Sequence, residues 1–204
     1  MAYPEGSGGA GAPASFPHPV AGAEPIRVRP ARRTDVRILV RQYLGRSEES
    51  RGFYHPFPFR SVIVRTILFG MVASGRVTHR RLSRVPGLSY LLLVAEDPAS
   101  ARIAGHAYYR VLRARGGPSR AVVGIEVEDG FQGRGIGSRL LEALAEEARH
   151  RRLDRLTATV HPDNGRSRRL FHRCGYAEVG RSVPPVGGRR RVPEIPYEKP
   201  LRTE

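Results

Sequence analysis

One stretch constrains this chain more than any other: Val127-Glu128-Asp129-Gly130-Phe131-Gln132-Gly133-Arg134-Gly135-Ile136-Gly137-Ser138. Before it, Ala121 to Val127 reads as an apolar strand. After it, Leu140, Leu141, Leu144, Ala145 and Ala148 recur on one helical face, with Arg139, Glu142, Glu146 and Arg149 on the other. Glycines at alternate positions allow positive φ and remove Cβ, so backbone can approach a ligand closely. The helix that follows adds N–H groups without intrahelical acceptors and the positive end of its dipole. That combination suits an anion, and a pyrophosphate above all. The alternative is a tight glycine-rich connection with no ligand. Two familiar phosphate loops do not fit: one needs Gly-Lys-Ser/Thr, and the other needs glycine where Ser138 stands.

Around this segment the chain reads as one folded unit. Residues 1–24 are Gly, Ala, Pro and Ser with almost no charge, so a tail that cannot offset its ordering entropy is expected, followed by a domain over 25–204. Ile26 to Arg29 alternates as a short strand, and Thr34-Asp35 marks a helix start followed by Val36, Leu39, Val40, Tyr43 and Leu44 on one face. Ser47 to Phe59 reads as a loop, and Arg60 to Ala73 as a second helix. Strands are expected over Tyr90 to Ala95, Ile103 to Leu112, Ala121 to Val127 and Leu156 to Val160. A last helix carries Ser167, Leu170, Phe171 and Cys174 and ends at Gly175. Tyr176 to Val183 and Ile195 to Leu201 read as closing strands.

Composition narrows the function classes. The net charge is +16, from 35 basic against 19 acidic residues, but Lys199 is the only lysine and the other 34 basic residues are arginine. Such a skew attracts polyanions without establishing a nucleic-acid partner, and no nucleic-acid-binding motif accompanies it. One cysteine, Cys174, excludes an internal disulfide framework and a multi-thiolate zinc site, and no histidine spacing suggests a metal. No run approaches the roughly 18 apolar residues of a membrane span, and Met1-Ala2-Tyr3-Pro4-Glu5 does not open a leader. A cytoplasmic protein is expected.

The glycine segment resembles the GCN5-related N-acetyltransferase (GNAT) superfamily, whose Gln/Arg-x-x-Gly-x-Gly/Ala signature is matched by Gln132, Gly135 and Gly137. A second stretch is similar to the same family: Asn164-Gly165-Arg166-Ser167 followed by Leu170-Phe171 and Gly175-Tyr176. The opening Ile26-Arg27-Val28-Arg29-Pro30-Ala31 also fits, so the resemblance runs over residues 26 to 201 in element order, with specific motifs over 120 to 180. It implies a mixed α/β fold with a central mixed sheet of six to seven strands and about four flanking helices. It further implies acetyl-CoA held where the middle strands splay, at Val127, Gln132, Gly133, Arg134, Gly135, Ile136, Gly137, Ser138 and Asn164. It implies too that Arg134 and Arg139 are available for phosphate charge, whereas on the residues alone both read equally as solvated surface, and Asn164 as a helix cap.

The implied reaction is acetyl transfer to an amine of an unidentified small-molecule or protein acceptor. Two departures from the family stand out. The positions where relatives carry a glutamate base hold Ala121 or Val122 on the fourth strand and Thr159 on the fifth, which leaves Glu126 as the candidate, with Glu128 behind it and a solvent-facing strand residue as the alternative. The tyrosine that would protonate the leaving thiolate aligns with Phe171, so Ser167, Tyr176 or water would have to serve. His161 reads as a base or as a polar strand end, and Cys174 as core packing. The departures keep open an acyl-CoA-binding regulatory module, with a nucleic-acid-binding protein third. A homodimer is compatible with either of the first two.

Overall fold

The computed structural model describes residues 26–48, 61–76, 90–112, 119–183 and 192–202. The expected tail over 1–24, most of the expected loop before residue 60, and the turns at 116–118 and 184–188 lie outside these residues. Seven strands, β1 (Arg27–Pro30), β2 (Tyr90–Asp97), β3 (Arg102–Leu112), β4 (Arg120–Val127), β5 (Arg155–Val160), β6 (Ala177–Glu178) and β7 (Ile195–Pro200), form one sheet in the order β1-β2-β3-β4-β5-β7-β6. Among the described residues four α-helices flank it: α1 (Asp35–Leu44), α2 (Ser61–Arg76), α3 (Ile136–His150) and α4 (Gly165–Arg173). This is the mixed α/β architecture the sequence implies. Every neighbouring pair runs antiparallel except β4 and β5.

The strands' alternation sorts the core into two layers. Leu91, Leu93, Tyr109, Ala121 and Val123 turn toward α3, whose Leu140, Leu144 and Ala148 are fully buried against them. Leu92, Val94 and Ile103 turn the other way, toward Val36, Leu39 and Tyr43 of α1 and Val64, Leu68 and Met71 of α2. Each fully buried leucine contributes about 1.5–3 kcal/mol relative to exposure, so both layers help to hold the sheet in place.

Two details differ from the expectations. Thr34 makes no side-chain cap on α1. Asp35 anchors that end instead: its carboxylate accepts from the Arg32 N–H at 2.6 Å and from the Arg29 guanidinium at 2.7 Å, and Arg29 also reaches Glu96. Burial acts to raise the Asp35 pKa, but the Arg29 and Arg32 hydrogen bonds outweigh it and hold the carboxyl below its ordinary value. The strand expected over Tyr176 to Val183 shrinks to two residues, because Gly180 adopts φ +67° and turns the chain away until Val183 meets Glu194 in an isolated bridge. Among the described residues no helix is long and apolar enough to cross a membrane.

Candidate active site

β4 and β5 pair only at Arg120–Arg155, Ala121–Leu156 and Val122–Thr157. Beyond Val122 the strands part. β4 remains paired to β3 through Val127, and the Glu128 N–H still donates to Ala104 O of β3 at 2.9 Å. Since alternate backbone groups face opposite edges, the N–H groups of Ile125 and Val127 turn to the open side. The result is a V-shaped opening in the sheet with unpaired strand edge on one wall.

The glycine loop stands at the mouth of this opening. Gly133 and Gly135 have φ of +78° and +76°, and a Cβ on either would meet nothing within 4 Å, so the loop is left-handed by geometry and leaves clear space beside its backbone. Gly135 is the N-cap of α3, and the first helical bond runs from Arg139 N–H to Gly135 O. The N–H groups of Ile136, Gly137 and Ser138 therefore lack intrahelical acceptors, and no acidic residue occupies the first turn. Successive N–H groups around left-handed glycines make a concave anion cradle. Gln132 shapes it from behind: its Nε2 donates to Val127 O at 3.1 Å and to Asp129 Oδ1 at 2.8 Å.

The other expected cofactor residues divide. Arg134 lies over the Phe131 ring, 5.2 Å from its centroid, beside the cradle. Arg139 points elsewhere, lining a groove with Arg27, Val28 and Glu96. Asn164 caps α4 by accepting from the Ser167 N–H at 3.0 Å. Gly137 serves packing more than approach, because its missing Cβ makes room for Leu170 of α4.

The face of the sheet that carries α1 and α2 forms the second side of the opening. Val122, Gly124 and Glu126 of β4 share it with Thr157 and Thr159 of β5, as the Val122–Thr157 register requires. Arg46, just after α1, meets both carboxylate oxygens of Glu126 through Nε and Nη2 and stacks over Tyr43 at 4.1 Å. His106, opposite Glu126 on β3, lies with Nε2 3.5 Å from the same carboxylate. Burial, and then the nearby Arg46 charge, push the His106 pKa down to about 3, so it is neutral beside the pair. Arg46, His106, Glu126 and Glu128 line a cavity of about 360 Å³ at the end of β4. The Tyr108 ring lies across Gly124, whose Cβ would come within 2.5 Å of it.

Phe171 is buried between Tyr176, edge-on at 5.0 Å, and Tyr197, stacked at 5.7 Å. The Tyr176 hydroxyl is itself buried, and burial raises its pKa, so the phenol keeps its proton. His161 ends β5 with Nδ1 accepting from the Asp163 N–H at 3.2 Å. Cys174 is buried, and its thiol pKa is raised by burial. Among the described residues no three metal-ligating side chains cluster.

Sequence reasoning missed Arg46, His106, Tyr108 and Glu194, whose carboxylate accepts from Thr159 Oγ1. Only the Tyr108 contact had a local signal, a glycine inside a strand, which marks close approach of another group.

Comparison with known proteins accords with this geometry. L-methionine sulfoximine/L-methionine sulfone acetyltransferase of Pseudomonas paraeruginosa is 35% identical over 99 residues, 48% of this chain and 56% of that protein, so the match spans little more than half of the relative's length. Among solved structures, yncA of Salmonella typhimurium with its cofactor acetyl-CoA superposes at a TM-score of 0.66 and 21% identity, over 89% of this chain and 96% of that one. The GNAT domain of S. lividans PAT reaches 0.62 at 26% identity, over 86% and 90%. The model of the acetyltransferase (GNAT) family matches residues 63–176, from α2 through the glycine cradle to the end of α4. The parted strands, the left-handed cradle and the capped helix after β5 thus fall inside a matched span of more than half the chain, which belongs to the GNAT acetyltransferase family.

Proposed function

We propose that this protein transfers an acetyl group from acetyl-CoA to an amine. The observation that carries the reading is the parting of β4 from β5 directly before the left-handed cradle of Gly133 and Gly135. In this reading the N–H groups from Gly133 to Ser138 hold the pyrophosphate, with Arg134 beside them, while Gln132 keeps the cradle's shape. The free edge of β4 from Ile125 to Val127 hydrogen-bonds the donor along its length, and one of those N–H groups polarises the thioester carbonyl. Asn164 keeps α4 capped at the far wall. The acetyltransferase relatives and the acetyl-CoA in the yncA structure support this assignment. A cytoplasmic place suits an unpaired cysteine.

Glu126, the base expected from sequence, takes another part in this reading. An arginine that meets both its oxygens occupies the positions at which the carboxylate would accept a proton from substrate. Glu126 fixes the end of α1 to β4 as a neutralised ion pair. The acceptor is an amine small enough to reach the opening, free or at a chain terminus.

Titration calorimetry with acetyl-CoA, followed by an amine panel read by thiol release, tests the proposal. Binding and turnover of at least one amine support it. Binding without turnover on any amine would favour an acyl-CoA-sensing module, and no binding would remove the reading altogether.

A further inference from the structure

An alkylamine has a pKa near 10.4 and is protonated at neutral pH, so rapid transfer needs a proton acceptor on the wall where the amine enters. Among the described residues, Glu126, Glu128 and Glu194 bring carboxylates to that region of the sheet, and Glu128 pairs with Arg102 at 2.8 Å. Glu126 is fully engaged by Arg46. Glu194 is held differently. It leads into β7, and the only bond fixing its carboxylate among the described residues comes from a neutral donor, Thr159 Oγ1.

The placement of this pair follows from the register. Thr159 stands two residues past Thr157, the last residue of β5 paired to β4, and so lies where the strands have already parted. Thr159 faces Pro196 of β7, with Glu194 two residues before it, so the hydrogen bond draws the Glu194 carboxylate from β7 onto β5, the strand that borders the opening. No arginine or lysine among the described residues pairs with it. Of the other charged groups on this face, Arg110 and Arg120 stand where β4 and β5 are still paired. Arg155 and Glu198 pair with each other at 2.8 Å, His161 at the end of β5 lies 3.7 Å from Asp163, and Arg46, Glu126 and His106 stand across the opening.

We propose that Glu194 is the proton acceptor for the amine and that Thr159 is the positioning residue that aims its carboxylate. The proposal rests on the acetyl-transfer reading above. An ammonium N–H bond breaks, and its proton passes to a Glu194 oxygen directly or through one water. The freed lone pair forms the N–C bond at the thioester carbonyl carbon. The C–S bond then breaks with its electron pair going to sulfur, the second proton leaves nitrogen for the thiolate, and Glu194 returns its proton to solvent. The products are an amide, a thiol and one free proton.

The test uses the full chain and the best amine of the panel. Glu194→Gln is expected to lower kcat/KM at pH 7 by at least about 100-fold, the lower end of what a positioned base supplies. Its rate should climb about tenfold per pH unit toward the amine's own pKa, while acetyl-CoA affinity by calorimetry stays at the parent value. Thr159→Val should lose about tenfold in kcat with acetyl-CoA affinity at the parent value, and Thr159→Ser should restore it. A purely structural role would lower Tm and leave kcat of the folded protein unchanged. Should Glu194→Gln bind acetyl-CoA poorly, the Thr159 pair decides on its own. A parent that acetylates amines beside an unimpaired Glu194→Gln, or beside an unimpaired Thr159→Val, overturns this assignment and leaves the transfer reading intact. A parent that acetylates nothing overturns the transfer reading, and this one with it.

Discussion

Leu170 of α4 fills the space that a side chain at Gly137 would need: a Cβ there would lie 2.9 Å from Leu170 Cδ2. The alternate glycines around the start of α3 therefore do two jobs. Gly133 and Gly135 supply left-handed backbone with open space beside it, and Gly137 lets two helices meet.

The two jobs separate by substitution. Asn and Asp tolerate left-handed backbone better than other residues, so Gly135→Asn measures the strain and Gly135→Asp adds a negative charge beside it. Acetyl-CoA affinity should fall at least about tenfold further, or 1.4 kcal/mol, in the Asp variant than in the Asn variant. Equal affinities in calorimetry would show that no phosphate lies at the cradle.

The cradle and α3 were legible because their signals are local. Alternate glycines, an apolar stripe at helical spacing and an Asn three residues before a helical Ser each speak within one turn of chain. The opposite holds for the charged pairs. Arg46 and Glu126 are 80 residues apart and Thr159 and Glu194 are 35 apart, so both depend on sheet register that no short window contains. Glu126 was visible as a strand carboxylate, but its arginine was hidden among 34. The length of β6 was misread because Val179 and Val183 kept an apolar rhythm across Gly180, whose positive φ ends the strand.

Arg46→Ala would leave the Glu126 carboxylate largely buried without its partner. Loss of one member of a buried pair costs about 3–5 kcal/mol, and the residual exposure of Glu126, 16% of its side chain, places the expected loss near the lower end. Denaturant unfolding of the full chain would measure it. A loss below about 0.5 kcal/mol would mark the pair as an ordinary surface contact.

His106 gives the fold an acid sensitivity with a definite sign. Its folded pKa of about 3 lies below the ordinary 6.5, so as pH falls through 6.5 the unfolded chain takes up a proton that the folded chain refuses. Stability should be fully present above pH 6.5 and drain away toward pH 3. At pH 5 the difference of about 1.5 units corresponds to about 2 kcal/mol. His106→Asn should flatten the stability profile between pH 7 and 5 by that amount, whatever its absolute stability. An unchanged slope would mean that His106 is reached by solvent or takes up its proton while folded.

Phe171 is where the chain departs most plainly from its family in residues that could touch the leaving group. The ring is buried against Tyr176 and Tyr197, and the neighbouring Tyr176 hydroxyl already has no hydrogen-bond partner among the described residues. A second hydroxyl placed there by Phe171→Tyr would have to find a partner or cost about 1–3 kcal/mol, a fall in Tm of roughly 2–12 °C at about 2–4 °C per kcal/mol for a domain of this size. Chemistry should not suffer, because a thiolate is a modestly basic leaving group and departs without strong acid help. The expected outcome is thus a less stable protein whose kcat stays within about threefold of the parent, well short of the 100-fold or more that a positioned acid supplies. Thermal melts and steady-state rates on the same preparation would read both. A tenfold rise in kcat would place the new hydroxyl at the leaving sulfur, and a tenfold loss would show that the Phe171 ring itself shapes the acyl site.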